Sequence, residues 1–244
     1  GNFNYSLEAF YRSDPGQRVN NDIVERHLFL TLKQQITPED SVYLRVEHFE
    51  ADGGDLAQYY DPSMASLGFR YKETHEPIVA LGYHHEWSPG VHTLFFATRL
   101  DDTVSFTNQA QPTLVAFRPD VDPISMPGVT MLTGVHGVTM HEHFVGKLEI
   151  YSGELQQIWQ QSAHNTIFGA RVQYGHFKTA NLQNLPSTIG AVFPDPPEPA
   201  ALQDITSVFS RLNFYGYHQW EIADSLELIG GLTYDRLTFP ENFR

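Results

Sequence analysis

Two short stretches carry the residue types from which metal sites are built. "GYHHEW" sets His84, His85 and Glu86 side by side before a Ser-Pro-Gly turn, and "HEHF" sets His141 and His143 two residues apart. Imidazole and carboxylate are ordinary zinc ligands. In an extended chain, however, adjacent side chains point to opposite sides. His84 and His85 therefore cannot share an ion without a bulge, which leaves His84 with Glu86 and, across the turn, His92 as a remote third member. His141 and His143 do share a face, at the junction of a loop and a strand, where a solvated pair is the commoner meaning of the pattern. No metal site is expected; His84, Glu86, His141 and His143 are the residues that would carry one.

Other chemistry has less support. Paired carboxylates for glycoside hydrolysis could be drawn from Glu47, Glu227 and Asp235, but the separation that defines such a pair is not legible in one dimension. There is no glycine-rich phosphate loop, nucleophile elbow or Ser/His/Asp constellation. Neither catalytic residues nor a cofactor are expected.

The elements that must position these residues are strands. In "SVYLRVEHFE", Val42, Leu44 and Val46 alternate with Tyr43, Arg45 and Glu47. The same period of two recurs in "TIFGARVQYGH", "SRLNFYGYHQW" and "LELIGGLTYDR", and no helical stripe exceeds two turns. Strands are predicted over 4–12, 26–35, 41–50, 78–87, 91–100, 144–160, 164–177, 208–221 and 225–236, with short extra strands at 66–72 and 112–118. Near Gly153 the alternation falters, which predicts a bulge. Most of these strands are longer than the ~5–6 residues usual in globular proteins.

Connection lengths alternate. "ITPED", "SPG", "SAH" and "IAD" are tight, whereas 13–25, 51–77, 101–143 and 178–207 are long. In an up-and-down antiparallel sheet this puts every tight turn at one end and every long loop at the other. The four long connections hold 16 of the 29 acids and 5 of the 15 bases, a net −11 of the total −14. Acidity thus collects at one end, and the proline-rich "FPDPPEPAAL" (193–202) lies within it as extended chain.

Composition agrees with a membrane setting. Charged residues make up 18% of the 244-residue chain and aromatics 13%, against about a quarter charged in soluble domains. A net charge of −14 excludes nucleic acid as a partner, because phosphate binding needs a basic face. The absence of cysteine excludes disulfides and thiolate chemistry. No run approaches the ~20 apolar residues of a spanning helix. "GNFNYSLEAF" lacks signal-peptide features, so a secreted chain would be met here after processing.

The units "LFLTLKQQITPEDSVYLRVEHFEADGGD", "VALGYHHEWSPGVHTLFFATRLDD" and "LNFYGYHQWEIADSLELIGGLTYDRL" together resemble a bacterial outer-membrane β-barrel. More loosely, they resemble the barrel part of tetratricopeptide-repeat outer-membrane proteins or of TonB-dependent-receptor-like proteins. That resemblance implies an antiparallel up-and-down transmembrane barrel in the bacterial outer membrane, with a lipid bilayer as partner. It implies short periplasmic turns, long acidic extracellular loops, and a porin-like transport or export role. Lumen-lining candidates are Arg45, Glu47, Lys147, Glu149, Arg171, Gln173, Arg211, Asn213, Glu227 and Asp235. Trp87, Trp159, Trp220, Tyr83 and Tyr217, all near tight turns, are the expected membrane-interface aromatics. Nine strands that begin at the tight-turn end finish at the long-loop end, whereas bacterial single-chain barrels have even strand numbers. Residues 1–244 are therefore expected to be a barrel domain or part of a larger barrel, completed by further strands or other protein components. The alternatives are a secreted β-sandwich that binds carbohydrate and a barrel enzyme with its active site among the loops.

Overall fold

The computed structural model describes residues 2–58, 61–117, 134–184 and 201–240. They form one sheet of nine antiparallel strands in sequence order: β1 (Phe3–Asp14), β2 (Ile23–Gln35), β3 (Asp40–Gly53), β4 (Phe69–Ser88), β5 (Val91–Phe117), β6 (Gly134–Gln161), β7 (His164–Asn184), β8 (Ala201–Ala223) and β9 (Leu226–Thr238). Each strand pairs with its neighbour in sequence, and β1 and β9 pair only once. A β-sandwich needs two facing sheets, and the described residues make one, which removes that alternative.

All four tight turns fall where expected. In the β4–β5 turn, Pro89 fixes the first corner and Gly90 takes a φ of 84°, the type II arrangement. A Cβ on Gly90 would stand 2.5 Å from the carbonyl oxygen of Gln160, so no other residue fits.

The strands overrun the expected loops. β5 has 27 residues and β6 has 28, so most of 101–143 is ladder, and the short strands expected at 66–72 and 112–118 merge into β4 and β5. The proline-rich segment lies mostly outside the described residues. No ladder irregularity occurs at Gly153, where β6 stays in register on both sides.

Register defines two faces. One carries Leu7, Leu28, Leu30, Leu32, Leu44, Val46, Val79, Leu81, Phe95, Leu155, Phe168, Val172, Leu212, Phe214 and Leu232 in cross-strand succession. Many of these are solvent-exposed, Leu28 at 47%, Leu81 at 46% and Leu232 at 88%, and none lies under a second sheet. Such an apolar belt, ~25 Å tall, is what a transmembrane barrel presents to lipid, and the other face is the inner one.

Toward the long loops the polarity inverts. Beyond the belt its face carries Arg26, Glu50, Arg70, Lys72, Arg99, Asp101, Lys147 and Glu149, joined in ion pairs such as Arg26–Glu50 at 3.0 Å and Lys147–Asp101 at 3.4 Å. The inner face at that height is aromatic, with Phe106 stacked on Phe144 at 4.7 Å between centroids and Phe49 tilted against His27 at 4.3 Å. Strands this long leave the bilayer, so their outer side meets water.

Candidate functional site on the inner face

Eight of the ten lumen-lining candidates share the inner face: Arg45, Glu47, Arg171, Gln173, Arg211, Asn213, Glu227 and Asp235. Most of the charged ones are paired locally, while Glu227 accepts from the Gln219 amide. Arg45 meets Glu47 at 3.1 Å, Arg171 meets Glu154 at 2.6 Å, and Arg211 grips Asp235 with Nε at 2.9 Å while Asn213 donates to the same carboxylate at 3.3 Å. Tyr215 lies across Gly169, whose absent side chain makes the space for its ring, and donates to Glu154. Lys147 and Glu149 are on the belt face instead, beside Arg99 and Asp101. They alternate with Leu148 and Ile150, and the polarity inversion beyond the belt places the apolar pair inside.

Of the five interface aromatics, Trp87, Trp159, Trp220 and Tyr83 lie on the belt face at its tight-turn end. Trp87 donates its indole N–H to Thr93 at 2.9 Å. Tyr217 is on the inner face, stacked with Tyr215 at 5.8 Å, because it is one residue out of phase with Trp220.

The histidine stretch divides at the pleat. His85 on the belt face contacts Asp40 at 2.7 Å, and His84 on the inner face contacts His92 at 3.0 Å. Glu86 sits opposite His92, yet these three do not converge within metal-binding distance. His141 and His143 share a face of β6 and are solvent-exposed.

The convergent cluster lies elsewhere. Among the described residues, Glu73, His75 and Asp102 are the one group of three metal-capable side chains whose ligand atoms fall within 4.8 Å of one another. All are on the inner face, on the loop side of the belt. His75 Nε2 is 3.4 Å from Glu73 Oε1 and 3.6 Å from Asp102 Oδ1, and its Nδ1 is 3.9 Å from Glu47 Oε1. Phe49 packs against the imidazole at 4.9 Å, and Tyr71 donates to the other oxygen of Glu73. Burial, then the negative charge of Glu73, pushes the Asp102 carboxyl above the usual carboxylate range. Burial and the bond to Glu73 push the Tyr71 phenol up as well.

A proline makes this cluster. Pro77 has no N–H to give the ladder, and the pairing of β4 slips between His75 and Val79. The slip inverts the facing of everything before it. Val79, Leu81 and Tyr83 are on the belt face, whereas odd-numbered Glu73 and His75 are inside. Arg99 occupies the kink, donating to the carbonyls of Glu76 and Pro77.

Beside the cluster is a cavity of about 650 Å³ lined by Ile23, Phe49, Ala51, Phe69, Tyr71 and Glu73 and roofed by Asp55–Ala57 and Ser66. The roof is tied down. Asp55 accepts from the backbone N–H of Ser66 at 2.7 Å, Arg18 donates to the Asp55 and Ala57 carbonyls at 2.8 Å, and Asn20 donates to those of Ser66 and Phe69 at 2.8 Å.

Sheet, belt, turn-end tryptophans and ion-paired upper rim together define a transmembrane β-barrel wall of the outer-membrane type. No protein-family model matches the chain, and no curated protein does. Among solved structures it is similar to BauA, the ferric preacinetobactin receptor from Acinetobacter baumannii, with a TM-score of 0.60 and 10% identity over 96% of this chain and 40% of that one. It is also similar to P. aeruginosa FpvA, solved bound to heterologous pyoverdines, with a TM-score of 0.65 and 13% identity over 98% of this chain and 34% of that one. Both are TonB-dependent receptors, outer-membrane β-barrels. At these identities the likeness is one of fold, and the chain spans well under half the length of either.

Proposed function

We propose that the chain forms part of the wall of a bacterial outer-membrane transport barrel, with tight turns toward the periplasm and acidic loops outside. The observation that carries this is the polarity inversion along single strands. An apolar outer belt ends in tryptophans on one side and in an ion-paired rim on the other, as expected of strands that cross a bilayer and emerge into water. The paired inner charges suit a hydrated passage, where they set which solutes move. What BauA and FpvA are named for supports transport as the role. Among the described residues β1 and β9 each leave one edge without a partner, and an open edge is not tolerated in hydrocarbon. Further strands, from the same protein or another, therefore complete the barrel.

The test is reconstitution. The protein should be recovered from membranes only with detergent, its tryptophan fluorescence should be quenched by lipids brominated near the headgroup, and planar bilayers containing it should show discrete conductance steps. Recovery as a water-soluble monomer with unquenched tryptophans would overturn the reading.

A further inference from the structure

We propose that Glu73, His75 and Asp102 form a binding site for a divalent first-row transition cation of the zinc type. The site would be set in the inner wall and open to the adjoining cavity. The inference is independent of what the barrel transports.

Three ligand atoms fall within 4.8 Å of one another, and the spacing about His75 suits a tetrahedral ion. A tetrahedral ion with bonds of ~2.0–2.1 Å sets its ligand atoms about 3.3 Å apart, and Nε2 of His75 stands 3.4 and 3.6 Å from the two carboxylate oxygens. One imidazole with two carboxylates suits zinc and its neighbours rather than magnesium or calcium, which prefer oxygen alone. Three protein ligands leave a fourth position free, as in sites that exchange a water or a ligand. Glu73 also lines the adjoining cavity, which gives the site a route to its contents.

A second observation is independent of these distances. Asp102 Oδ1 and His75 Nδ1 are sealed from solvent and have no hydrogen-bond partner. Buried polar atoms are normally satisfied, and an exception calls for a bound water or ion. No Lys or Arg side chain pairs with Glu73 or Asp102 among the described residues; their one ion-pair partner is His75. A dication would neutralise both acids. It would also polarise His75 so that Nδ1–H turns to Glu47 Oε1, whose companion oxygen is held by Arg45 at 3.1 Å. This is the carboxylate–histidine–metal relay that orients a ligating ring.

The experiment is calorimetric titration of the detergent-solubilised protein with zinc chloride, repeated with calcium and magnesium chloride. One zinc per chain should bind at this site, in preference to calcium and magnesium. His75→Ala and Asp102→Asn should each weaken it by more than ~100-fold, and Glu47→Gln, one shell out, by ~10–100-fold. His141→Ala with His143→Ala, exposed and distant in the fold, should leave it unchanged. Retained barrel mobility on semi-native gels separates loss of a ligand from loss of fold. Absence of zinc binding, zinc binding indifferent to His75 and Asp102, or stronger calcium than zinc binding would each overturn the proposal, and none would bear on conductance.

Discussion

Single side chains at the tight-turn end act as fasteners, and Asp40 is the most connected. Its carboxylate accepts from Thr37 Oγ1 at 2.6 Å and from the Tyr83 hydroxyl at 2.6 Å, and meets His85 at 2.7 Å, joining the β2–β3 turn to β4. Those bonds, from Thr37 first and then Tyr83 and His85, hold its pKa well below the usual carboxylate range. A depressed folded-state pKa means stability that is present above the unfolded value of ~3.9 and is lost as pH falls through the folded one. Urea unfolding followed from pH 6 to pH 2 should therefore show a steeper acid decline for the native chain than for Asp40→Asn, and parallel curves would refute this. The histidine in this contact was visible as part of "GYHHEW", but its use as a turn clasp was not, because Asp40 is 45 residues away.

At the scale of elements, strand number, order and turns follow from alternation and loop length, whereas strand ends and some facings do not. The sequence reads 101–143 as a long connection holding only a short strand at 112–118, because the polar member of each pair in its first part, Thr103, Ser105 or Thr107, faces out, the reverse of the membrane-spanning part. For the same reason the sequence pattern puts Lys147 and Glu149 on the inner face, whereas the register sets them on the belt face. Glu73 and His75 stand two apart, a spacing that places them on one strand face, but the kink at Pro77 decides which face. Deleting Pro77 should restore unbroken alternation, turn Glu73 and His75 outward, and abolish zinc binding while the barrel still assembles. Calorimetry of that variant beside a semi-native gel checks both halves, and retained zinc affinity would show that the kink does not set the facing.

For the molecule as a whole, the unpaired edges dominate. All of β1 and all of β9 are solvent-exposed, and neither has a second ladder partner among the described residues; on the proposed function these edges pair with further strands. The chain has no cysteine, which leaves a clean background for cross-linking. A cysteine at Leu232 in β9, combined in turn with one at Tyr5, Leu7 or Ala9 in β1, should give no intrachain disulfide in membranes under oxidation. Formation of one in any register would mean that nine strands close upon themselves.

The sequence by itself determined a nine-stranded meander with tight turns at one end and the longer connections at the other. Period-two alternation and turn chemistry are local, and they survive in one dimension. It also separated His84 from His85, since the pleat acts on neighbours. Only the tertiary structure decided that Glu73 and His75 meet Asp102, because a ladder slip at Pro77 and the register of β4 on β5 bring together residues 27 apart. Only it showed that polarity inverts above the belt, because which side of a strand is wet depends on where the strand leaves the bilayer rather than on its own residues.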